Sequence, residues 1–307
     1  MVAFTLAHLS DPHLGPLPAA RLRELAGKRI LGFTNWRRNR HAHHRGEVLD
    51  ALIQDLARQN PDHTAVTGDL VNIGLDAEFA PARIFLERLG APTDVTVVPG
   101  NHDVYVRSTA AHHGRHWGDY MSGDTAPAPV SPDRPGRFPF VRRRGPIALI
   151  GTSSAVPTAP FMATGRLGTE QLHRLGEILA RLGEEGAFRV ILIHHPPVGH
   201  AGDRFKRLMD GRQFRRLLAR HGAELVLHGH EHIHSLHWLS GPDKRIPVVG
   251  VPSASQMPHG DRDPGAYNLY RIFKNGDHWA CDMITRGFRS HAQGVAEVQQ
   301  RPLSVIS

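Results

Sequence analysis

The 307-residue chain contains one cysteine, Cys281. A single thiol cannot close an intrachain disulfide, and zinc sites built on cysteine are excluded with it. Long apolar runs are missing as well: none approaches the ~18–20 residues of a membrane-spanning helix. The opening residues, MVAFTLAHLSDPH, lack the basic stretch, long apolar core and small-residue cleavage site of a secretion signal. Their apolar stretch runs straight into polar residues, which reads as a first strand and a cytoplasmic protein. No internal repeat and no linker interrupts the chain, so one domain over 1–307 is expected. At 40% apolar residues that domain can bury a substantial core.

Histidine and positive charge are abundant. There are 23 histidines and a net charge of +8 with histidine neutral, which points to an anionic partner: nucleic acid, a phosphorylated substrate or an anionic membrane surface. The basic residues cluster at Arg37, Arg38 and Arg40 and again at Arg142, Arg143 and Arg144. No nucleic-acid-binding module and no regular alternation of aromatic and basic residues accompanies them, so nucleic acid is not the expected partner. Oligomeric state has no signature.

Short runs rich in Val, Ile and Leu, each ending at a polar or glycine-containing turn, predict strands at 4–10, 63–69, 94–100, 146–152, 188–195, 224–230 and 245–251. Helical periodicity falls between several of them, at about 46–59, 77–89, 169–182 and 210–221. Pro81 is expected in the first turn of the second helix, Thr169 as the cap of the third, and Gly222 as the stop of the fourth. Alternating strands and helices mean a layered α/β domain. From 231 to 285 strands follow one another without helices, as a C-terminal β meander. The stretch 107–136, rich in Pro, Gly and His, shows little periodicity and reads as a functional loop or lid, or a poorly ordered segment.

The polar residues collect at strand ends. SDPH places Asp11 and His13 after the first strand, and TGDL places Asp69 after the second. PGNHD supplies Asn101, His102 and Asp103 after the third. HHPP supplies His194 and His195, and LVLHGHEHIH (225–234) supplies His230 and His232. In α/β sheets, sites gather where loops converge at the carboxyl ends of strands. Positions i and i+2 of extended chain point the same way, so Asp11 with His13, and His230 with His232, can each reach one centre. Glycines precede Asp69, Asn101 and His230, where backbone must approach a ligand closely. Carboxylate, imidazole and amide donors together suit Zn, Mn or Fe and are too nitrogen-rich for Ca or Mg.

The ordered set Asp11-Pro12-His13, Gly68-Asp69, Gly100-Asn101-His102-Asp103, His194 and Gly229-His230-Glu231-His232 resembles the calcineurin-like metallophosphoesterase superfamily, whose pattern is D-x-H, G-D, G-N-H-[DE], H and G-H-x-H. Within it, HLSDPHLG and HHPP look most like bacterial class III cyclic-nucleotide phosphodiesterases and their glycerophosphodiesterase relatives. The resemblance implies two packed mixed β-sheets flanked by helices, and two divalent or mixed-valence transition metals (Mn, Fe or Zn). It implies that Asp11, His13 and His232 hold one metal, that Asn101, His194 and His230 hold the other, and that Asp69 bridges them. The family's H-x-P spacing selects His194 over His195. It places His102 beside the phosphate, where it stabilises the developing charge or protonates the leaving oxygen, with Asp103 orienting it. The resemblance further implies that a hydroxide shared by the metals would attack the phosphorus of a small phosphodiester.

One stretch departs from the compact members of that family. An insert-like segment at about 15–46 sets Ile30, Leu31, Phe33 and Trp36 beside Arg37, Arg38, Arg40 and three histidines, His41, His43 and His44. It reads either as a cap packed on the body or as a contact with an anionic membrane or lipid headgroup, peripheral at the inner membrane face. The histidines are expected to be solvated or substrate-facing. Arg37, Arg38, Arg40 and His195 are the candidate substrate contacts. The leading expectation is therefore a metal-dependent phosphodiesterase, with a cyclic nucleotide as first candidate substrate. The alternatives are a hydrolase of a lipid-headgroup phosphodiester or pyrophosphate, a nuclease favoured only by net charge, and an inactive scaffold of the same fold.

Overall fold

A computed structural model describes residues 3–40, 43–124, 138–199, 204–260, 262–289 and 294–303, with the side chains of Asn39 and Arg40 outside the description. In chain order the strands and helices are β1 (Phe4–Leu9), α1 (Lys28–Asn35), α2 (Gly46–Gln59), β2 (His63–Val66), α3 (Asp76–Leu89), β3 (Val95–Val97), α4 (His112–Trp117), β4 (Phe140–Arg144) and β5 (Ile147–Gly151). They continue as α5 (Thr169–Glu184), β6 (Phe188–Leu192), α6 (Gly211–His221), β7 (Leu225–His228), β8 (Ser235–Ser240), β9 (Arg245–Gly250), β10 (Ala266–Asn275), β11 (His278–Phe288) and β12 (Val295–Pro302).

Two mixed sheets result, in the orders β12-β11-β10-β1-β2-β3 and β4-β5-β6-β7-β9-β8. In the first, β1, β2 and β3 run parallel and β10 pairs antiparallel to β1. In the second, β5, β6, β7 and β9 run parallel, with antiparallel β4 and β8 at the edges. Side chains alternate across each strand, so both faces must be covered. Leu6, Ala65, Leu149, Val190, Leu192 and Leu227 fill the layer between the sheets. Ala7, Leu9 and Val66 pack outward with Leu49, Leu52 and Phe79 of α2 and α3. Ile191 and Val226 do the same with Leu175, Leu179 and Phe214 of α5 and α6. This is the layered α/β arrangement expected, with helices flanking two packed mixed sheets.

Several details differ from the sequence reading. The strands of 231–285 do not form one meander: β8 and β9 complete the second sheet, while β10 and β11, followed by β12, complete the first. Alternation shows that these residues are strands but carries no information on which partner they pair with. The stretch 107–121 is not structureless. It holds the short helix α4 between two single 3-10 turns, and Trp117, Tyr120 and Met121 are buried in the outer core. The rest of the expected loop, 125–137, lies outside the described residues. Pro81 is the sixth residue of α3 rather than part of its first turn. Thr169 is the first residue of α5, with Gly168 at the cap position.

Arg142–Arg144 are not a free basic patch either. Arg142 is buried, and its guanidinium donates to the carbonyls of Ser122 (2.6 Å), Val95 (2.7 Å) and Asp119 (2.7 Å). Arg143 pairs with Glu185, and Arg144 pairs with Asp124 at 3.1 Å.

The insert is helical and docked. Leu25, Ile73, Leu75 and Tyr105 form a separate apolar cluster, against which Phe33 packs. Arg29 donates to the Ile73 carbonyl and the Thr109 hydroxyl, each at 3.2 Å. Phe33 and Arg29 of α1 thus contact the body, while Ile30 and Leu31 are exposed.

Candidate metal centre

Parallel strands from both sheets end at one place. Asp11 and His13 follow β1, Asp69 follows β2, and Asn101 follows β3. His194 follows β6, and His230 and His232 follow β7. The hydrophobic strands are buried and extended, and the polar residues begin where pairing stops. Five of these residues, Asp11, His13, Asp69, His230 and His232, have positive φ, at 53°, 39°, 56°, 72° and 58°. Left-handed backbone costs non-glycine residues energy and persists only where the surroundings impose it, commonly at functional sites. Glycine is required at two of the adjoining turns. A Cβ on Gly100 would enter the Asp69 carboxylate, and one on Gly229 would overlap Ser10 and Asp11.

The donor atoms converge. His13 Nε2 lies 3.2 Å from His232 Nε2, and His232 Nε2 lies 3.2 Å from Asp11 Oδ1. On the other side His194 Nε2 lies 3.2 Å from both Asn101 Oδ1 and His230 Nδ1. Asp69 Oδ2 stands between the two groups, 3.8 Å from His13 Nε2 and 3.4 Å from His194 Nε2. Asp11, His13 and His232 form one cluster with ligand atoms within 4.8 Å of one another, and Asp11, Asp69 and His194 form a second. Burial alone would raise both carboxyls. The charge of His232 holds Asp11 below its ordinary value, and His194 and His102 do the same for Asp69.

The residues fit a metal pair in a further respect. His194 and His13 donate Nδ1–H to the carbonyls of Thr67 (2.6 Å) and Val71 (3.3 Å), and His230 donates Nε2–H to Lys206 (3.1 Å). Each ring thereby turns its other nitrogen toward the cluster, as metal-binding histidines do.

Of the two adjacent histidines, His194 is the one whose Nε2 faces Asn101 and Asp69. His195 is buried with Nδ1 on the Ser154 hydroxyl (2.8 Å) and Nε2 on the Ala163 carbonyl (3.1 Å). Although its nitrogens lie close enough to His194 and His230 to complete a third candidate cluster, both are already engaged. The expectation that His195 contacts substrate is corrected accordingly: it fastens the 152–166 loop, and burial pushes its pKa down to about 3.

Asp103 also has a different part from the one expected. It does not orient His102. Its carboxylate accepts hydrogen bonds from the backbone N–H groups of Asp69 (2.9 Å), Leu70 (2.9 Å), Val71 (3.2 Å) and Gly100 (2.8 Å). Burial and the neighbouring Asp69 charge push it up to about 7. His102 donates Nδ1–H to the Asn72 carbonyl instead, and its Nε2 stands 3.9 Å from Asp69 Oδ2. An N-H-D sequence suggests a neighbouring pair; the turn after β3 points the carboxylate the other way.

Sequence reasoning passed over three neighbours. Ser253, in the turn after β9, donates to the Asp11 carbonyl at 2.6 Å. Its only sequence signal is a run of small residues after a buried strand. Tyr105 stacks on His102 at 5.3 Å. Lys28 of the insert lies over Tyr105 at 4.5 Å. His44 was expected to be solvated or substrate-facing, and the structure places it beside the centre, its ring 5.1 Å from His13 and 5.8 Å from His232. The His43 ring lies tilted against His259 at 5.2 Å, and His41 lies outside the described residues. Arg37 and Arg38 are exposed, Arg37 over the Phe33 ring at 5.9 Å. The Arg40 side chain is not described.

A model of the calcineurin-like phosphoesterases matches residues 4–234. A Synechococcus protein described as a probable cyclic nucleotide phosphodiesterase is 29% identical over 188 residues, spanning 59% of this chain and 62% of that protein. A dimetal phosphatase from Danio rerio superposes with a TM-score of 0.61 at 12% identity, covering 99% of each chain. Purple acid phosphatase PPD1 from yellow lupin seeds gives 0.60 at 14% identity, covering 98% of this chain and 53% of that one. At such identities these two structures show the shared fold alone.

Proposed function

The chain belongs to the calcineurin-like phosphoesterase family, and on that footing we propose that it is a metal-dependent phosphodiesterase with a binuclear centre, hydrolysing a small phosphodiester. The observation that carries the reading is the position of Asp69 Oδ2, within 3.8 Å of His13 Nε2 and 3.4 Å of His194 Nε2. One carboxylate oxygen thus faces both groups of donors.

Asp11, His13 and His232 would hold the first metal, Asn101, His194 and His230 the second, and Asp69 would serve both. The nitrogen-rich set suits Mn, Fe or Zn. When bound, the two ions supply charge for the phosphoryl oxygens and make a shared water acidic enough to act as nucleophile. Asn101 contributes a neutral donor, which leaves the centre net positive toward an anionic substrate. His102, fixed through Nδ1 on Asn72, presents Nε2 at the rim to stabilise or protonate the leaving oxygen. Asp103 maintains the Asp69 turn by holding four backbone N–H groups.

A cyclic nucleotide is the first substrate to try, in keeping with the description of the Synechococcus relative. The insert supports a second reading, a lipid-headgroup diester or pyrophosphate, because Lys28 and His44 bring it to the edge of the centre. No helix among the described residues is long and apolar enough to cross a membrane. We place the protein in the cytoplasm, with any membrane contact peripheral. The full donor set weighs against an inactive scaffold. The test is a panel on Mn-loaded protein: bis-p-nitrophenyl phosphate, p-nitrophenyl phosphate, cyclic nucleotides, glycerophosphodiesters and a nucleotide-sugar lipid. Diesters should be preferred over the monoester; a strict monoesterase, or no turnover at all, would overturn the reading.

A further inference from the structure

Lys28 opens α1 and is half-buried where the insert meets the body. Its ammonium donates to the Thr158 hydroxyl at 2.7 Å and the Met162 carbonyl at 3.0 Å, and lies 4.5 Å from the centre of the Tyr105 ring. All three partners are neutral. Among the described residues no carboxylate lies within 4.0 Å of it. The acidic charge it senses is that of Asp69, and Asp69 is committed to the cluster. Burial pushes the Lys28 pKa down to about 8, against the pull of Asp69, so the group still carries charge near neutrality. A half-buried ammonium without a counter-ion is costly unless an anion arrives.

The surroundings indicate where that anion would sit. Tyr105, under Lys28, stacks on His102 at 5.3 Å with the rings 18° from parallel. Thr158 and Met162 belong to the 152–166 loop, whose Ser154 and Ala163 hold His195 behind the centre. Lys28 is therefore linked through Tyr105 to His102, the side on which the leaving half of a substrate would emerge.

We propose that Lys28 is a specificity-determining residue that binds a second anionic group on the leaving side of the substrate. Resting on the phosphodiesterase reading above, this makes a doubly charged phosphoester, such as a pyrophosphate-linked diester, a better substrate than a singly charged diester. The alternative is that Lys28 is only a clamp between the insert and the 152–166 loop. A clamp would affect all substrates alike.

The experiment compares wild type, Lys28→Met and Lys28→Arg, metal-loaded, on ADP-ribose and on bis-p-nitrophenyl phosphate. Loss of one charge-assisted contact should lower the ratio of kcat/KM for ADP-ribose to that for bis-p-nitrophenyl phosphate by about tenfold or more. The change should lie in KM, and Lys28→Arg should recover most of it. Calorimetric titration with α,β-methylene-ADP should show a matching loss of affinity in Lys28→Met, independent of turnover. Proportional losses on both substrates would make Lys28 a clamp. Wild type that cleaves bis-p-nitrophenyl phosphate yet neither cleaves ADP-ribose nor binds α,β-methylene-ADP would also overturn the proposal, leaving the phosphodiesterase reading intact. Wild type inactive on every diester would overturn that reading instead.

Discussion

The Asp103 carboxylate lies 2.9 Å from the backbone nitrogen of Asp69. It also accepts from the N–H groups of Gly100, Leu70 and Val71, so it sets the turn from which Asp69 projects. Asp103→Ala should then lower metal content along with activity. It should also cost about 2 kcal/mol of stability, because four buried N–H groups lose their acceptor. Elemental analysis and denaturant unfolding check this. If the variant keeps both metals and loses only turnover, Asp103 acts on His102 after all.

The donor set calls for about two transition-metal equivalents per loaded chain. Asp69→Ala or Asn101→Ala should lose metal and activity together. His102→Ala should keep both metals and lose ~10²–10⁴-fold in turnover, less with good leaving groups. An empty centre in His102→Ala would make that residue a ligand.

His194 and His195 should separate cleanly. His194→Ala removes the Nε2 that faces Asn101 and His230 and should lose one metal. His195→Ala breaks buried contacts to Ser154 and Ala163 and should lower the melting temperature with both metals retained. The reverse pattern in metal analysis would exchange the two assignments.

Gly229→Ala removes no donor, yet its Cβ would collide with Ser10 and Asp11. Metal affinity should fall while the far-UV circular dichroism stays native. Unchanged affinity would show that the turn after β7 can shift without moving Asp11.

The insert offers two surfaces. Phe33→Ser should lower the melting temperature, since Phe33 packs on the Leu25, Ile73, Leu75 and Tyr105 cluster. Converting Arg37, Arg38 and Arg40 to Gln should leave stability unchanged and weaken binding to anionic vesicles or extended polyanionic substrates, the difference shrinking as salt rises. Identical binding at low salt would remove the case for a membrane contact.

The residues that converge at the candidate centre were legible because local chemistry marks them: buried apolar strands ending in Asp11-Pro12-His13, Gly68-Asp69, Gly100-Asn101 and Gly229-His230-Glu231-His232, each with donors two apart or a glycine beside them. Strand and helix periodicity likewise marked the layered α/β fold, since burial on two faces leaves a pattern in the chain itself. Other features depend on residues far apart in sequence. That β8 and β9 join one sheet while β10 and β11 join the other is set by pairing, which alternation does not encode. Asp103 reaches back across 34 positions to Asp69, His195 is sealed by Ser154 and Ala163, and Lys28 meets Thr158 and Tyr105. Such contacts arise only when separately folded segments pack together, so side-chain direction at those positions is decided by the tertiary structure and not by the neighbours along the chain.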